Sequence, residues 1–201
     1  MAGLQHENTA GLLGLCLKPL CVLTDFCTYG DLFSYLLSRK ERNMPLPMEY
    51  RFDVLLDIAK GMEFLHTATP PILHRDLKSP NVLLCRVAPD EEECASNAIK
   101  KPSFLVGSHQ DSSQTAKVAD FGLSLRTLGP STERVVDNPV WLAPEVIRKK
   151  SYSQYVHIFF YLNANSTTSS SDVYAFGIII NEIFSLDLPF CNCKYSFMFK
   201  L

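Results

Sequence analysis

Three polar side chains stand where chemistry could gather. Asp76 and Asn81 lie five positions apart in "HRDLKSPNVLL", which runs from His74 to Leu84, and Asp120 heads a second stretch, "ADFGLS", from Ala119 to Ser124. An acid, an amide and a second acid supply hard oxygen atoms, the ligands that Mg2+ prefers. A carboxylate beside a substrate hydroxyl can also orient it and take its proton. Each signal is weak alone, because an Asp in a loop is usually a solvated turn residue. Their value depends on the elements that bring them together.

The pattern along the chain predicts those elements. "PLCVLTDFC" reads as a short buried strand, and "YGDLFSYLLSR" as a short helix with Asp31 near its first turn, where a carboxylate suits the helix dipole. In "PMEYRFDVLLDIAKGMEFLH", Phe52, Leu55, Leu56, Ala59, Met62 and Leu65 recur at three and four residues, which predicts a long amphipathic helix with these residues on its apolar face. "PPILHRDLKSPNVLL" places a turn before a strand, and "AKVADFG" is a second short strand ending in glycine. Between them, Arg86 to Thr115 carries an acidic run (Asp90–Glu93) and ends rich in Ser, Gln and Asp, so it reads as a long, mostly disordered loop. "WLAPEVIRKK" begins another helical stretch, and "SDVYAFGIIINEIF" is apolar on nearly all sides, as a central buried helix would be. A little strand followed by mainly helix is an α+β chain with helix dominant.

Composition narrows the function classes. With 47% apolar and 20% charged residues in 201, the chain can bury a core. A net charge of −2 offers no basic excess for nucleic acid. The N-terminus lacks a signal-peptide pattern, and no apolar run approaches the roughly 20 residues of a membrane span, so a soluble, cytoplasmic protein is expected. The seven cysteines are odd in number and scattered, which predicts free thiols in a reducing compartment. Cys191 and Cys193 form a C-x-C with no further ligands nearby for zinc.

"HRDLKSPN", "DFG", "APE" and "SDVYAFG" occur in that order, and the first three belong to the protein-kinase signature set. The sequence resembles a eukaryotic protein kinase, in particular the tyrosine-kinase-like branch. The resemblance implies an α+β kinase fold seen mainly as its helical C-lobe: an N-lobe remnant at 1–24, a hinge at 25–31, a C-lobe at 32–190 and an atypical tail at 191–201. It implies ATP and Mg2+ as cofactors, a protein substrate, and an upstream kinase or partner domain. Asp76 would be the catalytic base, Asn81 and Asp120 the Mg2+ ligands, and Lys78 the contact to the transferring phosphate. Thr24 would be the gatekeeper, the backbone of Asp25 and Cys27 would bond the adenine edge, Asp31 would approach the ribose, and Leu83 would lie under the ring. Arg75 would pair with a phosphate on Thr127, Ser131 or Thr132. His74 and Phe121 would stack in an internal column, with Gly122 completing the D-F-G turn. Glu145 would anchor the end of the activation segment, and Asp172 would hold the catalytic loop from below.

Three departures qualify the resemblance. The 201 residues contain no G-x-G-x-x-G loop and no V-A-I-K lysine, and "HENTAGLLGLC" resembles the family segment that follows them, so this chain alone is expected to be inactive without an N-lobe. Two insertions, near 86–115 and 154–170, lengthen the family spacing, the second reading as an aromatic run joined to a Ser/Thr run. Lys78 favours serine/threonine as the acceptor, whereas "NPVWLAPE" leans toward the tyrosine and tyrosine-kinase-like enzymes. The alternative to a kinase is a pseudokinase-like binding or scaffold module. Retention of Asp76, Asn81 and Asp120 argues against that alternative.

Overall fold

The computed structural model describes residues 5–86, 114–126, 139–144 and 170–191. The elements are α+β, as expected. Strands β1 (Leu12–Leu17) and β2 (Leu20–Thr24) form an antiparallel hairpin in a two-stranded sheet of their own. The strand expected to be buried is instead exposed along its whole length, with Leu20 82% and Val22 61% exposed. The reason is that β2 pairs only with β1, in a two-stranded sheet of their own, so no further strand covers its outer edge.

Helix α1 (Leu32–Glu41) starts where its cap allows. Asp31 accepts the Ser34 backbone N–H at 2.8 Å through Oδ1 and the Ser34 hydroxyl at 2.8 Å through Oδ2, which satisfies an orphan donor of the first turn. Helix α2 (Met48–Thr67) forms over nearly the predicted span but turns a different face inward. Val54, Ile58, Gly61, Met62 and Leu65 are buried, while Phe52 and Leu56 are more than half exposed. The predicted stripe is therefore corrected by part of a turn. The cause lies in the partner: the Asn8 carbonyl oxygen would come within 2.4 Å of a Cβ at position 61, so this face of α2 must carry glycine where the N-terminal segment crosses it.

That segment is held against the strand leading to Asp120. Strands β4 (Val82–Arg86) and β5 (Gln114–Val118) are antiparallel, and Val118 N–H donates to Asn8 O at 2.9 Å while Ala10 N–H donates to Val118 O at 2.8 Å. The expected loop from Arg86 to Thr115 is thus trimmed at both ends by these strands. The remainder, the insertion at 154–169 and the tail at 192–201 lie outside the described residues. A third two-stranded pair joins β3 (Ile72–Leu73) to β6 (Leu125–Arg126). Of the helical stretch predicted from Trp141, a 3-10 turn at Pro139–Trp141 falls within the described residues.

Helix α3 (Ser170–Ser185) is not buried on all sides. Asp172, Ala175, Ile179, Glu182 and Ile183 face inward, whereas Val173 is 61% exposed. One face of α3 completes a core with Leu32, Ile58, Leu65, Val82, Leu84 and Val118. The expectation of free thiols throughout is also corrected: Cys27 and Cys85 form a disulfide, their Cα atoms 4.1 Å apart, while Cys16, Cys21 and Cys191 are free. Hydrogen bonds from Tyr29 N–H to Leu84 O (3.1 Å) and from Leu84 N–H to Gly30 O (2.8 Å) lay the segment after Cys27 along β4, which sets the two cysteines side by side.

Candidate active site

The loop between β3 and β4 is held from beneath by one buried carboxylate. Asp172, 2% exposed, accepts the backbone N–H of His74 through Oδ2 and that of Arg75 through Oδ1, both at 2.9 Å. His66 lies 3.0 Å from Oδ2 through Nε2, and since a carboxylate can only accept, the ring nitrogen donates. Burial by itself would push this carboxyl up, but the His66 bond and charge, with the contribution of His74, hold it below the usual carboxylate range. The two backbone bonds also hold Arg75 at φ 67°, a left-handed conformation that costs a non-glycine residue about 1 kcal/mol or more.

Above this anchor the chemistry-bearing residues converge. Asn81 donates from Nδ2 to the Asp76 carboxylate at 2.9 Å and to the Asp76 carbonyl at 2.8 Å. Lys78 Nζ lies 2.8 Å from the same carboxylate, both side chains being nearly nine-tenths buried. The amide proton of Ala119 donates to Asn81 O at 2.8 Å, which ties the second loop to the first one residue before Asp120. Asp120 itself is exposed, sits at φ 61°, and accepts the Gly122 N–H at 3.3 Å. With Nδ2 of Asn81 engaged toward Asp76, its amide oxygen and the Asp120 carboxylate offer the hard-oxygen chemistry that a divalent cation takes. Among the described residues no cluster of three or more His, Cys, Asp or Glu suggests any other metal.

His74 links the two loops through its ring. Nε2 donates to Ala119 O at 3.0 Å, and Nδ1 accepts the Asp76 N–H at 3.3 Å. Its ring and that of Phe121 are tilted at 52° with centroids 5.4 Å apart. Arg75, also buried, donates from Nε to Leu123 O at 2.5 Å, so its guanidinium reaches the segment that follows Asp120. Thr127, Ser131, Thr132 and Glu145 lie outside the described residues.

The residues expected at the hinge lie toward β4 but differ in what their side chains do. Asp31 and Leu83 form a β-bridge, and Leu83 is half-buried beside it. Asp31 spends its carboxylate on capping α1. Cys27 accepts the Gly30 N–H at 3.3 Å and is bonded to Cys85. Thr24 ends the exposed strand β2. The Asp25 N–H donates to Gly11 O at 3.2 Å, and its carboxylate takes the Gly11 N–H at 3.0 Å and Lys117 Nζ at 2.7 Å. The Lys117 bond, joined by that of Gly11, holds the Asp25 carboxyl low against partial burial.

Two residues escaped sequence reasoning. Lys117, in register with Leu83 across β4 and β5, fastens Asp25 to the strand that leads into Asp120. Glu182, 2% exposed, accepts the Ser79 hydroxyl at 2.7 Å and Trp141 Nε1 at 2.9 Å. Burial pushes its carboxyl up to about 7, against the lowering by Trp141 and Ser79. A signal for Glu182 was present: it is a lone acid in an apolar run, on the same helical face as Asp172.

Comparison with known proteins agrees with this geometry. The family model for protein tyrosine and serine/threonine kinases matches residues 1–200. A Dictyostelium discoideum protein named probable serine/threonine-protein kinase roco8 is 34% identical over 201 residues, all of this chain and 9% of that protein. Another from the same organism, probable serine/threonine-protein kinase pats1, is 38% identical over 185 residues, 91% of this chain and 4% of its own length. The Arabidopsis thaliana serine/threonine-protein kinase CTR1 is 31% identical over 196 residues, 96% of this chain and 19% of that protein. The chain therefore spans less than a tenth of the first two relatives and about a fifth of the third. With four ordered motifs, an α+β fold that joins two of their loops over a buried aspartate, and a family match along nearly its whole length, the chain belongs to the protein tyrosine and serine/threonine kinase family.

Proposed function

We propose that this chain forms the lower, catalytic part of a serine/threonine protein kinase, which transfers the γ-phosphate of ATP to a protein hydroxyl. The observation that carries the reading is the Asp76 carboxylate, oriented by Asn81 Nδ2 and Lys78 Nζ and joined through Asn81 O to the loop of Asp120. Asp76 orients the acceptor hydroxyl and takes its proton as the bond to phosphorus forms. Lys78 neutralises charge at the transferring end of the nucleotide. Asn81 and Asp120 would hold Mg2+, which would neutralise phosphate charge when bound. The hinge backbone near Asp25 and Cys27 holds the adenine edge over Leu83. Asp172 keeps the loop in register, and Arg75 would answer a phosphate on Thr127, Ser131 or Thr132.

A cytoplasmic location belongs to the same reading. No helix among the described residues is long and apolar enough to cross a membrane. The Cys27–Cys85 bond counts the other way, because disulfides persist mainly in oxidising compartments.

The test uses the chain alone and joined behind a lobe that carries G-x-G-x-x-G and the V-A-I-K lysine. Alone, it should bind Mg–ATP more weakly than about 1 mM, only about −4 kcal/mol, because half of the positioning groups are not in these residues. Joined, it should transfer labelled phosphate to serine or threonine of a protein substrate. Asp76→Asn should then lower turnover at least about a hundredfold. Transfer to tyrosine alone would overturn the acceptor class, and no transfer by the joined protein would leave the binding-module reading.

A further inference from the structure

The Cys27–Cys85 bond and a cytoplasmic location pull in opposite directions, unless the bond is one that is made and broken. Disulfides of reducing compartments are usually transient, and serve catalysis or redox sensing. The position of this one bears on the nucleotide. Cys85 follows Leu83 by two residues on β4, so the two share one face of the strand, the face read as the adenine floor. Cys27 lies in the stretch whose backbone is read as bonding the adenine edge. Behind it, Asp25 is tied to Gly11 and Lys117; ahead of it, Tyr29 N–H donates to Leu84 O at 3.1 Å. Of the residues between, Phe26 and Thr28 are exposed, and Cys27 is half-buried. The bond to Cys85 is therefore a tie at the middle of this stretch.

We propose that the Cys27–Cys85 pair is a site of thiol–disulfide exchange with a low-molecular-weight thiol, and that closing the bond fixes this stretch against β4 and tightens ATP binding. The inference rests on the kinase reading. Cys85 is 5% exposed and Cys27 half-buried, so an incoming thiolate meets Cys27 first. It attacks Cys27 Sγ, the bond to Cys85 breaks, and Cys85 leaves as a thiolate that takes a proton. A second thiolate attacks the outer sulfur of the mixed disulfide, and Cys27 leaves and takes a proton in turn. Two small thiols are thereby oxidised to one disulfide, and their two electrons reduce the protein bond. The small disulfide runs the same steps in reverse. With the bond open, residues 26–28 must be ordered when adenine docks, a cost that the closed form has already met.

In the chain as it stands, glutathione and its disulfide set the redox state, and alkylation with mass spectrometry reads each thiol. The bond should open and reclose in the folded protein. In Cys85→Ser the Cys27 thiol should take glutathione, whereas in Cys27→Ser the buried Cys85 should stay unmodified. Opening the bond should speed hydrogen exchange of the Tyr29 and Leu84 amides at least about tenfold. In the chain joined to a glycine-loop lobe, reduction should raise KM for ATP about fivefold, the scale of ordering one residue's backbone, with KM for the protein substrate held within about twofold. Reoxidation should restore it. Cys85→Ser should sit at the reduced value and ignore thiols, whereas replacing the free Cys16 and Cys21 by serine should keep the native response. Reduction of the native protein needs no substitution, so a variant that does not fold leaves these readouts intact. A bond that opens only in urea, equal KM for ATP in both redox forms, or a response that persists in Cys85→Ser would each overturn the proposal. Should the joined protein transfer no phosphate in either redox form, the kinase reading fails, and the ATP part with it. Unchanged exchange at Tyr29 and Leu84 on reduction would separately reject the tie.

Discussion

Helix α3 buries two carboxylates on one face, and their surroundings push them in opposite directions. Asp172 sits in the first turn, where the helix dipole favours negative charge, and takes donors from two backbone amides and one ring. Its carboxyl is held low although it is fully enclosed. Glu182 sits in the last turn, where the dipole opposes negative charge, and has two side-chain donors. Its carboxyl rises to about 7. Equal burial therefore does not imply equal charge; the number of donors and their fixity decide. Asp172 acts as an ionic anchor for a strained loop, whereas Glu182 is a brace that works near the boundary between acid and carboxylate.

The largest test breaks the Asp172 end. Asp172→Asn turns an amide NH2 toward donors that need an acceptor, and should cost about 3–5 kcal/mol in urea unfolding, the scale of a broken buried ionic network. A loss under about 1 kcal/mol would mean that the three bonds to Asp172 do not hold the loop.

The next separates the two ends by pH. Between the unfolded value of 4.5 and the folded value of about 7, the native state holds a proton on Glu182 that the unfolded chain has released. That contribution to stability is present at the low end and is lost as pH rises through the window, by up to about 3 kcal/mol. Asp172 works the other way: its lowered value contributes stability above 3.8 that is lost as pH falls further. Urea midpoints at several pH values should fall from about pH 5 to 7.5 in the native chain and much less in Glu182→Gln. An unchanged slope in that variant would remove Glu182 as the cause.

The smallest effect concerns a third carboxylate that is only partly enclosed. Asp25 and Lys117 are about a quarter and a fifth exposed, so solvent screens their pair. Lys117→Met should cost about 0.5–1 kcal/mol, and high salt should shrink the difference. A loss as large as that of Asp172→Asn would place the Asp25–Lys117 pair in the same class as the buried anchor.

Asp76, Asn81 and Asp120 were singled out by residue type and spacing and Lys78 by the kinase resemblance, and the structure brings Asp76, Lys78 and Asn81 within hydrogen-bond reach of one another. Asp31 was placed by its position before an apolar helix, which it caps. Lys117 carried no signal, and Glu182 was marked only as a lone acid in an apolar run; what each holds could not be read, because their partners Asp25, Ser79 and Trp141 lie far away in sequence. The sequence by itself determined that α1, α2 and α3 are helices and where α1 begins, since caps and backbone bonds act within a few residues. Tertiary structure decided which stripe of α2 is buried, that β2 stays exposed, that Cys27 meets Cys85, and which charge each α3 carboxylate favours. Those outcomes depend on what arrives from remote positions, as when Asn8 packs on Gly61 and bonds Ala116, and no local periodicity encodes such a meeting.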